Sequence, residues 1–362
     1  MSDRILILAN NSNGLYSFRR ELIKKLSRKY TVVASTPFDM NTDELKLSGC
    51  RLIRTEFDSR SMNPVKDIKL LFRYLKILRK VKPVLVISYT IKPNLYGGLA
   101  CTFLKIPYAA NITGLGSAFE GKLKTVISCV YRAALKHARA VLFENSENKA
   151  LFINKRIIKA DKACLMHGAG VNLETFTPAP YPKDDVGFRF LFIGRVMAEK
   201  GVNELFAAME RLRAEGVDCT LDMLGGYYED YREKIEDTEK KGWLHYHGCK
   251  NDVRPYIKRS HCFVLPSWHE GMANTNLECA ASARPVITSN IAGCREAVIE
   301  GVSGFLCEVK NADSLYKEMK KMIALSADDR EKMGLAGREH MERVFDKRKV
   351  VEESVKAFGL TV

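Results

Sequence analysis

Residues 263 to 287, FVLPSWHEGMANTNLECAASARPVI, read as a complete β-loop-α-β unit. Phe263, Val264 and Leu265 form a buried strand that ends at Pro266, and a polar loop then carries Glu270 and Gly271. Asn274 and Thr275 are good N-cap residues for an amphipathic helix, which stops before Arg284-Pro285 and a new strand. Open α/β sheets bind ligands in the crevice beyond the carboxyl ends of their strands, so this loop lies where a ligand site belongs.

Two carboxylates stand at the mouth of the unit. On one continuous helix Glu270 and Glu278 would lie about 80° apart around the axis. With Glu270 in the loop and Glu278 in the first helical turn, both look into one crevice. A helix N-terminus also attracts phosphate through its free N–H groups and its dipole. The unit therefore suits a phosphorylated, hydroxyl-rich ligand. Thr275-Asn276-Leu277-Glu278 is equally a capping box, in which Glu278 bonds back to the N-cap N–H. Glu278 has both readings at this point, whereas Glu270, which no capping rule needs, reads as functional.

Outward from this unit, a chain of 362 residues exceeds one comfortable core and implies two domains. No uncharged apolar run approaches the roughly 20 residues of a bilayer span. Met1 to Ala9 lacks the apolar stretch and cleavage site of a signal peptide, so a cytoplasmic protein with reduced cysteines is expected. The ten cysteines are scattered, with no Cys-x-x-Cys and no metal-site pairing with histidine, which indicates neither zinc nor a disulfide framework. They read as small buried apolar residues.

The net charge of +15 is unevenly divided. Residues 1 to 186 hold 31 Lys+Arg and 15 Asp+Glu, a net of +16, and the remainder holds 27 and 28, a net of −1. The first half should meet something anionic: nucleic acid, an anionic membrane face or a phosphorylated substrate.

In that half, Arg4 to Ala9 is a short buried strand, and Asn10 to Gly14 (NNSNG) a turn before a helix that begins near Leu15. A dinucleotide fold wants Gly-x-Gly-x-x-Gly here, and only Gly14 is present. Strands at Thr31 to Ser35, Arg51 to Thr55, Val84 to Tyr89, Tyr108 to Ile112 and Ala140 to Phe143 alternate with helical patterns, which predicts a doubly wound parallel layer. From Pro64 to Lys82, Val65, Ile68, Leu71, Phe72, Leu75 and Leu78 recur at helical spacing, with lysines and arginines on the other face. An ordinary solvated helix and a membrane contact both fit that pattern. Lys122 to His137 is apolar with basic ends, and either packs on the sheet or lies in a membrane interface. Ser88 to Gly98 and Asn111 to Gly116 follow strands, so Lys92 and the hydroxyls of Thr90 and Thr113 are candidates to grip an acceptor. No histidine precedes His137, which leaves any general base on this side unidentified.

Pro178 to Gly187 (PAPYPKDDVG) is the clearest linker, and the alternation restarts after it. Phe188 to Ile193 is a strand followed by Gly194-Arg195-Val196-Met197-Ala198-Glu199-Lys200-Gly201. A Walker motif places its lysine after the second glycine, before a hydroxyl residue, so this is not one. What remains is a glycine for close approach with an arginine and a lysine over the strand end, which suits a diphosphate. His245-x-His247 puts two rings on one side of a strand but has no third metal ligand at suitable spacing. No Asp-x-Asp occurs, which removes the usual cage for a nucleotide-bound divalent ion.

Gly194-Arg195 with Lys200-Gly201, Pro266-Ser267 with Glu270-Gly271, Glu278, Arg284-Pro285-Val286-Ile287, Gly293 with Glu296, and Gly304-Phe305-Leu306 resemble the C-terminal half of retaining GT-B glycosyltransferases of family four. In the first half Gly14, Thr90-x-Lys92-Pro93-Asn94 and Thr113-Gly114-Leu115-Gly116 resemble the bacterial branch that builds capsule, O-antigen or other lipid-linked glycans. The resemblance implies an α/β fold of two Rossmann-like doubly wound domains facing each other across a cleft. The domains would be residues 1–177 plus about 345–362 for the acceptor, a linker 178–187, and 188–344 for the nucleotide-sugar donor.

It further implies a retaining transfer that needs no metal, from a UDP-sugar to a polyprenyl-diphosphate-linked glycan at an anionic inner membrane face. Arg195 and Lys200 would bind the donor diphosphate and act with Glu270 as the catalytic set. Gly14, Gly194, Gly271, Met272, Ala273, Asn274 and Glu278 would complete the donor site, and Asn13, Thr90, Lys92, Thr113 and Gly114 would hold the acceptor. Two other readings remain at this stage: a GT-B sugar-nucleotide epimerase, against which the Arg195/Lys200 loop argues, and a basic nucleic-acid- or membrane-binding protein. No interleaving of aromatic and basic residues supports nucleic acid.

Overall fold

A computed structural model describes residues 3–58, 63–115, 124–183 and 187–362. It divides into two compact units, Met1–Gly170 with Lys347–Val362, and Val171–Asp346. Each is built on one wholly parallel sheet.

In the first unit the strands are β1 (Arg4–Leu8), β2 (Thr31–Thr36), β3 (Arg51–Arg54), β4 (Leu85–Tyr89), β5 (Tyr108–Ile112), β6 (Ala140–Phe143) and β7 (Ala163–Leu165), in spatial order 3-2-1-4-5-6-7. Its helices are α1 (Ser12–Leu26), α2 (Thr42–Leu47), α3 (Pro64–Val81), α4 (Gly98–Leu104), α5 (Lys124–Leu135) and α6 (Ser146–Asn154). Strand side chains alternate between two cores. Ile5 and Ile7 enter one with α1, and Leu6 and Leu8 enter the other with α3, α4 and α5. Burial on both faces explains why the strands read as unbroken apolar runs.

The second unit carries β8 (Phe188–Ile193), β9 (Cys219–Leu224), β10 (Leu244–Gly248), β11 (Cys262–Leu265), β12 (Val286–Ser289) and β13 (Gly304–Cys307), in order 10-9-8-11-12-13. Around it lie α7 (Val202–Ala214), α8 (Arg232–Lys240), α9 (Arg254–Arg259), α10 (Asn274–Ala281), α11 (Ala312–Ala324) and α12 (Ala327–His340). The last helix, α13 (Lys347–Ala357), belongs to the first unit, where Val350, Val351 and Val355 join the core that holds α1. In both sheets the chain winds one way and then restarts on the other side, so a switch point falls between β1 and β4 and another between β8 and β11.

Three local expectations are corrected. First, α1 begins at Ser12 rather than near Leu15, because the Asn11 side chain accepts the Gly14 N–H and caps the helix three residues early. Second, α3 buries only the later members of the stripe that begins at Val65, Leu75 and Leu78. Its core face is Leu70, Tyr74, Leu75, Ile77, Leu78 and Val81, while Val65, Ile68 and Phe72 are exposed. Third, the second unit starts at Val171 rather than after a 178–187 linker, because Leu173 and Phe176 pack on its core. Arg284, fully buried, donates to the carbonyls of Ala179 (3.0 Å) and Pro180 (2.8 Å), so the described part of that proline-rich segment is bound down.

Candidate active site

The loop after β8 and the loop after β11 meet at the switch point of the second sheet, since β8 and β11 are hydrogen-bonded neighbours. The Lys200 ammonium pairs there with the Glu270 carboxylate, and the Ser267 hydroxyl donates to the same oxygen at 2.9 Å. Both side chains of the pair are largely buried, at 14% and 13% exposure. Backbone ties hold the loops together: the Trp268 N–H donates to the Glu199 carbonyl at 2.8 Å. Gly201, at φ +73°, leads into α7 against the carbonyl of Pro266, a position where a Cβ would overlap that oxygen.

Gly293 braces the other side of the Glu270 loop. It sits at φ +87°, and a Cβ there would come within 2.6 Å of the Gly271 oxygen and 2.7 Å of the Glu270 oxygen. Its carbonyl accepts the Ala273 N–H at 2.7 Å, and its own N–H donates to Glu296 at 2.7 Å. Of the donor-site expectation for Gly271 to Asn274, the Ala273 N–H is thus already engaged by the loop after β12. Met272 and Ala273 are buried in the core.

α10 begins at Asn274 with Ala273 at its N-cap, and no side chain caps it. The expected capping box is therefore absent, and Glu278 lies past the first turn rather than in it. Asn274, Thr275 and Glu278 form the partly exposed face of α10, while Asn276, Leu277 and Cys279 to Ala281 are buried.

Arg195 and Lys200, grouped by the sequence as one diphosphate clamp, have different neighbours. Arg195 is exposed, with its guanidinium 4.4 Å from the centre of the Tyr228 ring. Tyr228 donates its N–H to Val196 at 3.0 Å, and Val196 donates to Gly226 at 2.9 Å, so the loop after β8 leans on the loop after β9 as well. Gly194 lies at the β8 end, with its N–H on the Leu224 carbonyl at 2.9 Å. Tyr228 was not singled out from the sequence; the signal for it was Gly225-Gly226-Tyr227-Tyr228 directly after a strand.

In the first unit the acceptor candidates lie at the ends of β1, β4 and β5, three neighbours in the sheet. Their states differ. The Asn13 N–H donates to Asp39 at 2.8 Å and its side-chain oxygen accepts from Asn41 at 2.8 Å, which ties the β1 loop to the β2 loop. Lys92 does not project from the strand end. It is buried, and its ammonium is 2.6 Å from Asp67 of α3, whose other oxygen accepts from Tyr96 at 2.9 Å. Asn94 links Ser88 of β4 (2.7 Å) to the Asn111 carbonyl of β5 (2.8 Å).

Thr90 stands apart. It holds φ +69°, which a β-branched residue rarely adopts, and among the described residues its buried hydroxyl has no hydrogen-bond partner. Thr113 and Gly114 follow β5 directly, partly exposed, and Gly116 and Lys122 lie outside the described residues. Beside Thr90, Arg19 pairs with the buried Glu144 at 2.6 Å and lies over the Tyr89 ring at 4.8 Å.

His247 lies 2.5 Å from Asp222, which Arg259 also grips through two nitrogens at 2.9 and 3.0 Å. Burial pushes the Asp222 carboxyl up, but these hydrogen bonds outweigh it and hold the group below its ordinary value. That network gives His247 a structural partner. Among the described residues no group of His, Cys, Asp or Glu is placed to hold a metal ion, and no helix is long and apolar enough to cross a membrane.

Two sequence families match the chain: "Glycosyl transferase 4-like" over residues 4–145 and "Glycosyl transferases group 1" over residues 175–340. The chain is 30% identical, over 92% of its length and 92% of the relative's, to the N,N'-diacetylbacillosaminyl-diphospho-undecaprenol alpha-1,3-N-acetylgalactosaminyltransferase of Campylobacter jejuni. It is 28% identical to the UDP-Gal:alpha-D-GlcNAc-diphosphoundecaprenol alpha-1,3-galactosyltransferase of Escherichia coli, over 73% of this chain and 72% of that one. Among solved structures, the Anabaena protein HepE in complex with UDP and glucose superposes with a TM-score of 0.82 at 13% identity, covering 99% of each chain. With these relatives, the two parallel sheets and the paired loops at the β8/β11 switch point, the chain is a GT-B glycosyltransferase of family four, in the bacterial branch that builds capsule, O-antigen and other lipid-linked glycans.

Proposed function

We propose that the enzyme transfers a hexose or N-acetylhexosamine from a UDP-sugar to a polyprenyl-diphosphate-linked glycan at an anionic membrane surface, with retention and without a metal. The observation that carries this reading is the Lys200–Glu270 pair at the β8/β11 switch point, which puts a cation and a carboxylate on one crevice. In the unliganded enzyme they satisfy each other. A bound donor separates their roles, the ammonium going to the diphosphate and the carboxylate to sugar hydroxyls. The acceptor class follows the two relatives, both of which act on sugars linked to diphospho-undecaprenol.

In the proposed reaction the acceptor hydroxyl oxygen attacks the anomeric carbon on the face from which the diphosphate departs. The bond from that carbon to the phosphate oxygen breaks, and the acceptor's proton passes to the departing oxygen. UDP leaves and a glycosidic bond forms with the original configuration. This route needs no protein base, which suits an acceptor unit with no histidine before His137. Catalysis then rests on positioning and on positive charge at the diphosphate.

Incubation with labelled UDP-sugars, with and without the lipid-linked acceptor and with EDTA, tests the proposal. Transfer with retained configuration that survives EDTA is the expected result. Transfer abolished by EDTA overturns the metal-free route, and epimerised nucleotide sugar without transfer overturns the reaction class. Glu278 supplies a separate check. With the N-cap of α10 at Ala273 rather than Thr275, Glu278→Ala is expected to lower turnover roughly 10- to 100-fold through lost ribose contacts while the protein stays folded. A melting temperature that falls with the rate intact would return Glu278 to a structural role.

A further inference from the structure

We propose that the exposed face of α3 is a docking surface for an anionic phospholipid bilayer, an inference that rests on the lipid-linked acceptor reading and names the part of the molecule that meets the membrane. On α3, Val65 is 62% exposed, Ile68 54% and Phe72 64%. At 100° per residue these three fall within about 60° of one another around the helix, and Lys76, Lys69, Lys80, Arg73 and Lys66 follow in the adjoining arc of about 80°. The result is an apolar edge beside a basic stripe on one exposed face, the arrangement of a helix that lies in a membrane interface.

The charge on that face is one-sided. The only acid of α3, Asp67, is turned into the body of the unit toward Lys92 and Tyr96. Arg73 makes one hydrogen bond to the Glu56 carbonyl, and among the described residues Lys66, Lys69, Lys76, Arg79 and Lys80 have no carboxylate partner. A face bearing six cations and no acid is complementary to an anionic lipid surface and poorly suited to self-association, where like charges would meet. The exposed apolar side chains supply the part that charge cannot, because three bulky groups left in water gain from entering the acyl boundary.

Position adds a functional reason. α3 runs antiparallel to the strands, so its first turns lie at the edge where β4 ends, and the Asp67–Lys92 pair fastens them to the loop that carries Thr90. A membrane held at Val65, Ile68 and Phe72 is thus beside the strand ends proposed to receive a lipid-linked acceptor. Lys92 acts here as a positioning residue, holding the docking helix against the acceptor loop.

Flotation of the full-length enzyme with vesicles tests the surface. The wild type is expected to float with phosphatidylglycerol-containing vesicles and to stay behind with pure phosphatidylcholine. A variant carrying Ile68→Gln and Phe72→Gln, and another carrying Lys69→Glu, Lys76→Glu and Lys80→Glu, are each expected to lose flotation about tenfold or more. Both should keep wild-type turnover on a short-chain, water-soluble acceptor and lose about tenfold on full-length acceptor embedded in vesicles. Unchanged flotation in both variants overturns the proposal, as does equal loss on the soluble acceptor. A wild-type dimer in sedimentation that Phe72→Gln dissociates would also overturn it, in favour of a second copy as occupant. Wild type that floats but turns over neither acceptor refutes the lipid-linked acceptor reading while leaving the docking face standing.

Discussion

Lys200→Ala is expected to lower turnover about 100- to 1000-fold, the cost of removing one preorganised charge from a site where charge develops in the transition state. The ammonium stands at the β8/β11 switch point on a loop fixed by the Trp268–Glu199 backbone bond and by the close packing of Gly201 on Pro266, so its backbone is in place before the donor arrives. Most of the loss should appear in kcat, because negative charge on the departing diphosphate grows as the bond to the sugar breaks. Lys200→Arg keeps the charge, but its planar fork does not fit where a compact ammonium packs between Glu270 and the loop, and it should recover only part of the rate. Arg195→Ala is the internal contrast: exposed and stacked on Tyr228, it should cost about tenfold. Because Lys200 and Glu270 are paired before substrate arrives, the Lys200→Ala, Glu270→Ala double variant should lose much less than the product of the single losses. Steady-state kinetics on the four proteins decides it. A Lys200→Ala enzyme within threefold of wild type in kcat would remove the diphosphate role.

Strands buried on both faces were the most legible part of the chain. Runs such as Phe188 to Ile193 have one reading, and the order of their loops then placed Arg195, Lys200 and Glu270 at strand ends before any contact was known. β7, three residues at the sheet edge, carries too little pattern to be read. Helix faces were misread where two apolar stripes share one helix. Val65, Ile68 and Phe72 recur at the same spacing as Leu70, Tyr74, Ile77 and Val81, and only the packing partner tells which set is inside. Charged residues were the hardest. Lys92 follows a strand end and so read as a ligand-gripping cation, but its destination was set by Asp67, twenty-five residues earlier. Thr90 had no local signal at all, since a β-branched residue at positive φ is held there by its surroundings against its own preference.

Arg284→Ala is expected to destabilise the second unit by about 3 to 4 kcal/mol, seen in calorimetry as a drop of several degrees in the transition of that unit. The guanidinium is fully buried, and among the described residues it pairs with no carboxylate; backbone carbonyls surround it, with the Tyr181 ring centre 5.7 Å away. It donates to Ile257 (3.1 Å) and Lys258 (2.8 Å) at the end of α9, to Ala283 (3.1 Å) after α10, and to Ala179 (3.0 Å) and Pro180 (2.8 Å) in the segment that enters the unit. Burial pulls its pKa below the ordinary value, yet an arginine stays charged across the physiological range, so the site must hold a cation. Truncation leaves several buried carbonyls without donors, each expensive, and opens a void between α9 and α10. Arg284→Lys keeps the charge, but its three donors cannot reach carbonyls spread around a planar fork, so it should recover less than half of the loss. The consequence reaches the donor crevice. Ala283 and Arg284 connect α10, which carries Glu278, to β12, and slackening there should raise KM for the nucleotide sugar before the unit melts. A variant with an unchanged transition would mean that water replaces the guanidinium at no cost, and that the carbonyl cage is an effect of the fold rather than one of its supports.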